Sequence, residues 1–387
     1  MELIGHVFDG TQILQNPMRV IIDESSGTIT SLESLDHSDK ETQLFLMPGM
    51  IDAHVHFFGS EHFDFKEWTE TPSLRTALKS VNDLSNLLNA GFLAVRDMGS
   101  KCGVELSRGV EKGYLNGPDI IPCHYSLSAT GGDDDQKDFS LEMAKSLSYS
   151  TFCDGPWECR KATREQVREG AKVIKVYAQD NILGKPSLRP FLTEEEIEAV
   201  VKEAHGMGIK VAAHAYGSDG IISALNGGAD SIEHGFGLTE EICEIMFKKG
   251  TYFIPTLTVH IINEKYNTGK WKEVLDNHLN KDMPMAQSYG LNVVCGTDFV
   301  GCDTEPHGQN YKELVNMHKY GLNKMQTFIS TTSMAAQCLA LEKTGKISAG
   351  FKANIIGFKK MPDDELSFLS PENVCFVMKN GKVIKNI

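Results

Sequence analysis

The feature that most constrains this chain is a repeated alternation of short apolar runs with amphipathic stretches. Eight runs read as strands, at 49–57, 92–99, 120–128, 173–178, 210–216, 230–235, 251–259 and 292–299. Strands alternating with helical periodicity are the pattern of a parallel sheet. The intervening helices carry start signals. Thr71-Pro72 opens one bearing Leu74, Leu78, Val81 and Leu88 before Gly91, and Thr193 with Glu196 forms a capping box ahead of Ile197, Val200, Val201 and Ala204. Eight such units predict an α/β fold closed as a (β/α)8 TIM barrel rather than an open sheet.

The two chain ends read differently. Leu3, Val7 and Ile13 precede Arg19-Val-Ile-Ile22, a Ser25-Ser-Gly27 turn and Thr28-Ile-Thr30. Near the other end, Ala353–Phe358 and Val374–Met378 are apolar, and an Asn380-Gly381 pair separates the latter from Val383-Ile384. Asn-Gly between apolar runs is a strong hairpin signal. Strands at both termini predict a small composite β-sandwich from residues 1–47 plus 346–387, leaving 48–345 for the barrel.

Composition narrows the function classes. The 387 residues carry a net charge of −14, which argues against nucleic acid and anionic lipid as partners and leaves a small-molecule substrate. A homo-oligomer stays open. Nine cysteines show no repeated ligand spacing; the closest pair, Cys153 and Cys159, fits no zinc pattern, and buried reduced thiols are expected. MELIGHVFDG lacks the basic and apolar regions of a signal peptide, and no apolar run approaches membrane-spanning length. A cytoplasmic location is the expectation.

The chemistry concentrates at strand ends. In Ile51-Asp-Ala-His-Val-His-Phe57, His54 and His56 sit two apart on a strand and so share a face, roughly 6–7 Å from each other. Alone, this pair describes half-buried structural histidines equally well. Lys175 interrupts the apolar Val173-Ile-Lys-Val-Tyr177, where an unpaired ammonium is costly; it is either ion-paired or carboxylated by CO2 into a carbamate. His214 ends Val211-Ala-Ala-His-Ala215, His234 ends Ser231-Ile-Glu-His-Gly235, and Asp298 ends Val293-Val-Cys-Gly-Thr-Asp298. Barrel sites form at the C-terminal ends of strands, so these residues in chain order point to one site.

With these residues the chain resembles the amidohydrolase superfamily, and within it the imidazolonepropionase-like and Xaa-Pro dipeptidase-like branch. The resemblance runs nearly the whole length, through Pro48–His56, Val95-Arg-Asp-Met-Gly99, Val173-Ile-Lys-Val176, His214-Ala-Tyr-Gly217, Gly228–Gly235, Pro255-Thr-Leu257, Gly296-Thr-Asp298 and Gly345–Gly350. It implies a centre of two divalent metal ions. His54, His56 and Asp298 would hold the more buried ion, His214 and His234 the more exposed one, and carboxylated Lys175 would bridge them. Mixed nitrogen and oxygen ligands suit zinc best, with manganese, nickel or iron as alternatives. Asp298 would be the catalytic acid and base.

Two stretches depart from that branch. Its members carry Thr-Gly-Gly-His-Gly-Asp after the third strand, whereas this chain has Thr130-Gly-Gly-Asp-Asp-Asp135, with Asp133 in the place of a substrate-binding histidine. Asp133–Asp135 read either as a pocket element or as a solvated acidic turn. After Lys175, Tyr177-Ala-Gln-Asp-Asn181 replaces small residues and paired glycines. Further candidates for substrate contact are Tyr177, Tyr216, His260 and His307, with Arg189 a weaker one, and the phenylalanines and methionines read as core. The expected reaction is hydrolysis of a C–N bond in an amide, dipeptide-like compound or cyclic amide. Its rivals are decarboxylation, deamination, or ester or carbamate hydrolysis on the same metals, and a non-catalytic scaffold.

Overall fold

The computed structural model describes residues 1–35, 44–180, 191–263 and 268–387. Among these, eight parallel strands form a ring in chain order: Met50–Val55, Phe92–Asp97, Asp119–Pro122, Val173–Asp180, Lys210–Tyr216, Ser231–Phe236, Tyr252–Ile254 and Asn292–Val293. Backbone bonds join the separate ladders into the ring. Lys172 donates to the Pro122 carbonyl at 2.7 Å, joining the third and fourth strands. Ala53 donates to Cys295 and His56 to Phe299, each at 2.8 Å, joining the eighth strand to the first.

Three of the expected runs are shorter than their apolar character predicts, and the one at 292–299 is strand only over Asn292–Val293. The run at 120–128 is two strands, Asp119–Pro122 and Ser126–Ser128, because His124 turns the chain at φ 63°. Ser126–Ser128 pairs with the fourth strand through Leu127 and Val176 and, on its other side, with Ser150–Phe152, a strand that periodicity does not indicate. In the run at 251–259 only Tyr252–Ile254 is strand; Thr256 takes φ 48° and the chain enters the helix Leu257–Ile262.

Packing follows a simple division. Small and branched side chains such as Ile51, Ala53, Ala94, Val173, Ala212 and Ile254 fill the lower barrel interior. A larger cluster lies between strands and outer helices, where Leu84, Leu87, Ile197, Val200 and Ile221 meet Val95, Ile174 and Val211. The Thr193–Glu196 capping box forms as expected and opens the helix Glu194–Gly206. The helix Ser73–Asn89 buries a different face from the one expected. Leu74 and Leu78 are 72% and 67% exposed, while Thr76, Ser80, Asp83, Leu84 and Leu87 turn inward. Its first turns lie under polar loops that approach closely at Gly59, against the Thr76 backbone, and at Gly301, against Asp83, so small and polar residues fit there.

Both chain ends build one seven-stranded sheet in the order Lys382–Asn386, Val374–Lys379, Ile355–Phe358, Phe45–Pro48, Glu2–Val7, Met18–Asp23 and Thr28–Ser34. Glu2–Val7 pairs with Met18–Asp23 through residues 2–5 and with Phe45–Pro48 through His6 and Val7, so it passes between the two halves of the sandwich. The halves bury Val7, Val20, Ile29, Ile355 and Met378 between them. The Asn380-Gly381 hairpin is present, with φ of 49° and 74° as its turn requires.

Asp83 ties the stability of this framework to pH. Burial raises its carboxyl from 3.8 to about 7, so the folded chain holds a proton there that the unfolded chain has lost. Its neutral form is compatible with the fold below pH 3.8, and stability declines as pH rises from there through about 7. Asp83→Asn should therefore raise the urea midpoint at pH 8, by a gain on the order of 1–3 kcal/mol, and leave it little changed near pH 4. A gain equal at both pH values would count against this origin.

Candidate metal centre

The site is built on polar residues that the barrel cannot leave unpaired. On the first strand a register shift falls between Asp52 and Val55, and above it His54 and His56 turn their rings toward the barrel axis. His54 Nδ1 lies 2.8 Å from the Glu233 carboxylate and therefore carries its proton there. Glu233 in turn faces the Arg96 guanidinium at 2.8 Å and accepts from Ser231, and Arg96 donates through Nε to the Ala53 carbonyl. Glu233 has no solvent exposure. Burial works against its ionised form, but Arg96 and His54 overcome that and hold the carboxyl down at about 2. His56 Nδ1 donates to the Gly99 carbonyl at 2.7 Å.

With both Nδ1–H groups turned outward, each ring directs its Nε2 into the cleft. Asp298 Oδ1 sits 3.2 Å from His54 Nε2 and 3.1 Å from His56 Nε2. Three electron-pair donors thus converge on one point. Ligand atoms of His54, His234 and Asp298 also lie within 4.8 Å of one another, a spacing that suits a shared cation. Without an ion a proton competes for the same place: burial opposes it, yet Asp298 pulls the His56 pKa upward. Asp298 itself is held well below the usual carboxylate range, because the His54 and His56 contacts outweigh the cost of burial.

His214 and His234 stand beside this group with ring centroids 4.6 Å apart. Burial lowers the pKa of both well below the ordinary imidazole value, so both are neutral. His214 Nε2 is buried and makes no hydrogen bond among the described residues. Lys175 is 2% exposed and also lines the cleft, its pKa lowered by burial. His234 and Asp298 hold φ of 67° and 61°, left-handed values rare for side-chain-bearing residues. Asp298 is fixed by its N–H on the His54 carbonyl at 2.7 Å, and His234 Nδ1 lies 2.8 Å from Thr256 Oγ1. Strained backbone at two strand ends is the signature of a functional site.

The remaining sequence candidates divide. Asp133, Tyr177 and Tyr216 line the same cleft, of about 290 Å³. Asp133 is 9% exposed with Oδ2 4.0 Å from His214 Nε2, so it faces the cleft, as Asp134 does, while Asp135 is half-buried and lies outside that lining. His260 lies behind Tyr216: its Nδ1 donates to the Thr256 carbonyl, so its Nε2 accepts from the Tyr216 hydroxyl at 2.8 Å. His307 lies behind the first strand, its Nε2 on the His56 carbonyl at 3.0 Å and its ring against Phe57. Arg189 and Asn181 fall within 181–190, outside the described residues.

Sequence reasoning passes over two features. Arg96 and Glu233 are a buried pair behind His54, and the signal is present: each is a charged residue inside an apolar strand. The other is an aromatic side of the cleft from Phe58, Phe63, Phe65, Trp68 and Tyr149. Four of those five fall within eleven residues soon after the two histidines, a density ordinary core-building does not need.

Comparison with known proteins agrees with this geometry. The model of the Amidohydrolase family matches residues 45–384. Ochratoxinase of Aspergillus niger is 28% identical over 374 residues, covering 88% of this chain and 75% of that protein. Its crystal structure superposes with a TM-score of 0.89 at 26% identity, covering 99% of this chain and 94% of that one. A Xaa-Pro dipeptidase with methionine bound in its active site gives 0.84 at 28% identity, covering 99% and 98%. A prolidase complexed with N-methylphosphonate-L-proline gives 0.87 at 25% identity, with coverage of 99% and 98%.

The Arg96–Glu233 pair generates a direct prediction. Arg96→Met leaves the Glu233 carboxylate buried without its cation and should cost about 3–5 kcal/mol in urea unfolding. Adding Glu233→Gln removes the stranded charge and should restore at least part of that loss. A double variant as unstable as the sum of the two single ones would contradict the pairing.

Proposed function

The chain belongs to the amidohydrolase family, and on that premise we propose that it hydrolyses the C–N bond of a small amide at a centre of two divalent ions. That it is a hydrolytic enzyme acting on amide bonds accords with its similarity to ochratoxinase and to the Xaa-Pro dipeptidase structure. The observation that carries the metal reading is the meeting of the His54 and His56 lone pairs with Asp298 Oδ1 at 3.1–3.2 Å. In this reading His54, His56 and Asp298 hold one ion, while the neutral His214 and His234 hold the second. Divalent ions held there, with zinc the best match for nitrogen and oxygen ligands, would supply Lewis-acid polarisation of the amide carbonyl and activation of water.

The chain's own residues supply the rest. Lys175, whose pKa burial lowers, would add through Nζ to CO2 with release of one proton, giving an anionic carbamate. That exchange suits its place in the cleft, since an anion there would balance bound cations and an ammonium would oppose them. Asp298 accepts the proton of the attacking water and delivers it to the leaving nitrogen, which departs as the amine. Its left-handed backbone and the bond to the His54 carbonyl keep the carboxylate at one distance from both histidines. The Tyr216 hydroxyl, committed as donor to His260, is oriented at the rim of the cleft. We assign these functions to residues 48–345, with 1–47 and 346–387 as the supporting β unit.

Deamination and decarboxylation on the same residues are the rival reactions, and Lys175 weighs against deamination, which ordinarily uses one ion and no bridging lysine. A panel of N-acyl amino acids and dipeptides assayed for free amine decides among them. Amine release that falls by about 10²–10⁴ in Asp298→Asn, with the variant still folded, is the expected result. Evolution of CO2 with no new amine would overturn the proposal.

A further inference from the structure

The aromatic side of the cleft has a shape that the hydrolytic reading alone does not require. It begins at the metal centre itself, where Phe58 stacks on the His56 ring with centroids 4.9 Å apart and planes at 27°. From Phe58 it continues to Trp68 at 4.7 Å and Tyr149 at 4.8 Å. Phe63 meets Trp68 edge-on at 4.8 Å, and Phe65 meets it at 5.9 Å. The inner members Phe58, Trp68 and Tyr149 are buried. The outer two, Phe63 and Phe65, remain 45% and 37% exposed at the mouth.

This surface is built and held. The short helix Phe65–Glu70 is capped by Asp64, which accepts from the Lys66 N–H. The Trp68 indole N–H donates to Ser60 at 3.0 Å, which fixes the ring plane. The Glu67 carboxylate accepts from the backbone N–H groups of Glu61 and His62 and pairs with Lys79, tying the loop back on itself. Two large apolar rings left facing solvent on so well fastened a segment are costly unless something covers them. Asp133 and Asp134 line the same cleft, and Asp134 hydrogen-bonds to Tyr149, so a polar edge adjoins the aromatic wall.

We propose that Phe58, Phe63, Phe65, Trp68 and Tyr149 form a specificity subsite for an aromatic ring carried by the substrate on a short link from the scissile amide. The subsite rests on the hydrolytic reading for what is cleaved, and on the continuity of the wall with His56 for where the ring lies. Rings edge-on and offset, as around Trp68, accept a further flat ring in the same manner. The substrate class is therefore the amides with an aryl or arylalkyl half, and aliphatic amides of the same linkage are poorer substrates. Phe63 and Phe65 decide the preference because they are the two rings that a bound substrate would cover.

Two measurements test the subsite. In the first, N-benzoyl and N-acetyl derivatives of the same amino acids are compared by kcat/KM, in the native protein and in Phe63→Ala/Phe65→Ala. The aromatic member should be favoured by about 10-fold or more, and the ratio should fall toward unity in the variant. In the second, calorimetry compares 3-phenylpropanoate with propanoate as ligands, which requires no turnover. Tighter binding of the phenyl compound by about 10-fold, lost in the variant, is the expected result. Equal affinity for the two acids, or a preference that survives removal of both rings, overturns the subsite. If no amide is cleaved while the phenyl preference holds, it is the hydrolytic reading that fails and the subsite that stands.

Discussion

The charge of Glu233 governs the centre of this barrel. A carboxylate with no solvent exposure is tolerated only because Arg96 meets it on one side and the His54 N–H on the other. That arrangement has a consequence on the far side of the ring. Because the His54 Nδ1–H donates to Glu233, its other nitrogen, Nε2, is turned toward another anion, Asp298. His56, with its proton on the Gly99 carbonyl, does the same. Acceptors facing acceptors in a buried place repel unless a cation lies between them. The same hydrogen bonds that fix the orientation of the rings thus prepare the site to take a positive ion.

The barrel positions this group through its departures from regularity. The register shift after Asp52 brings His54 and His56 inward above a lower layer of small apolar side chains. The fourth and fifth strands are regular over Lys175 and His214, which pair with their neighbours in simple parallel register. At His234 and Asp298 the backbone turns left-handed, so these two side chains leave the strand direction and reach over the mouth. Each such turn has a cost on the order of 1–3 kcal/mol, sustained here by single tight bonds to Thr256 and to the His54 carbonyl. The ring is strong where it is regular and chemically useful where it is not.

Much of the site is legible in the sequence because a polar residue interrupting an apolar strand must be paired, solvated or put to use. His54, His56, Lys175, His214, His234 and Asp298 are all of that kind, and the cleft gathers them. Beyond a strand end the period of two is lost, and with it any indication of direction. His260 and His307 are equal candidates by position, yet one supports Tyr216 and the other the His56 carbonyl. The third strand reads too long because His124 bends the chain without a glycine to announce it. The aromatic wall reads as core, since phenylalanine carries no mark that separates a ring facing ligand from one facing leucine. The helix Ser73–Asn89 shows the converse: its buried face takes Thr76, Ser80 and Asp83 because loops, not apolar strands, lie upon it.

The chemistry of this barrel turns on whether the lone pairs of His54, His56, His214 and His234 hold two ions joined through Lys175. Metal content of the purified, zinc-equilibrated protein, set against Lys175→Ala, measures this directly. Two ions per chain in the native protein, with at least one lost on removal of the lysine amine, is the outcome predicted here. A single ion retained equally by both proteins would contradict it.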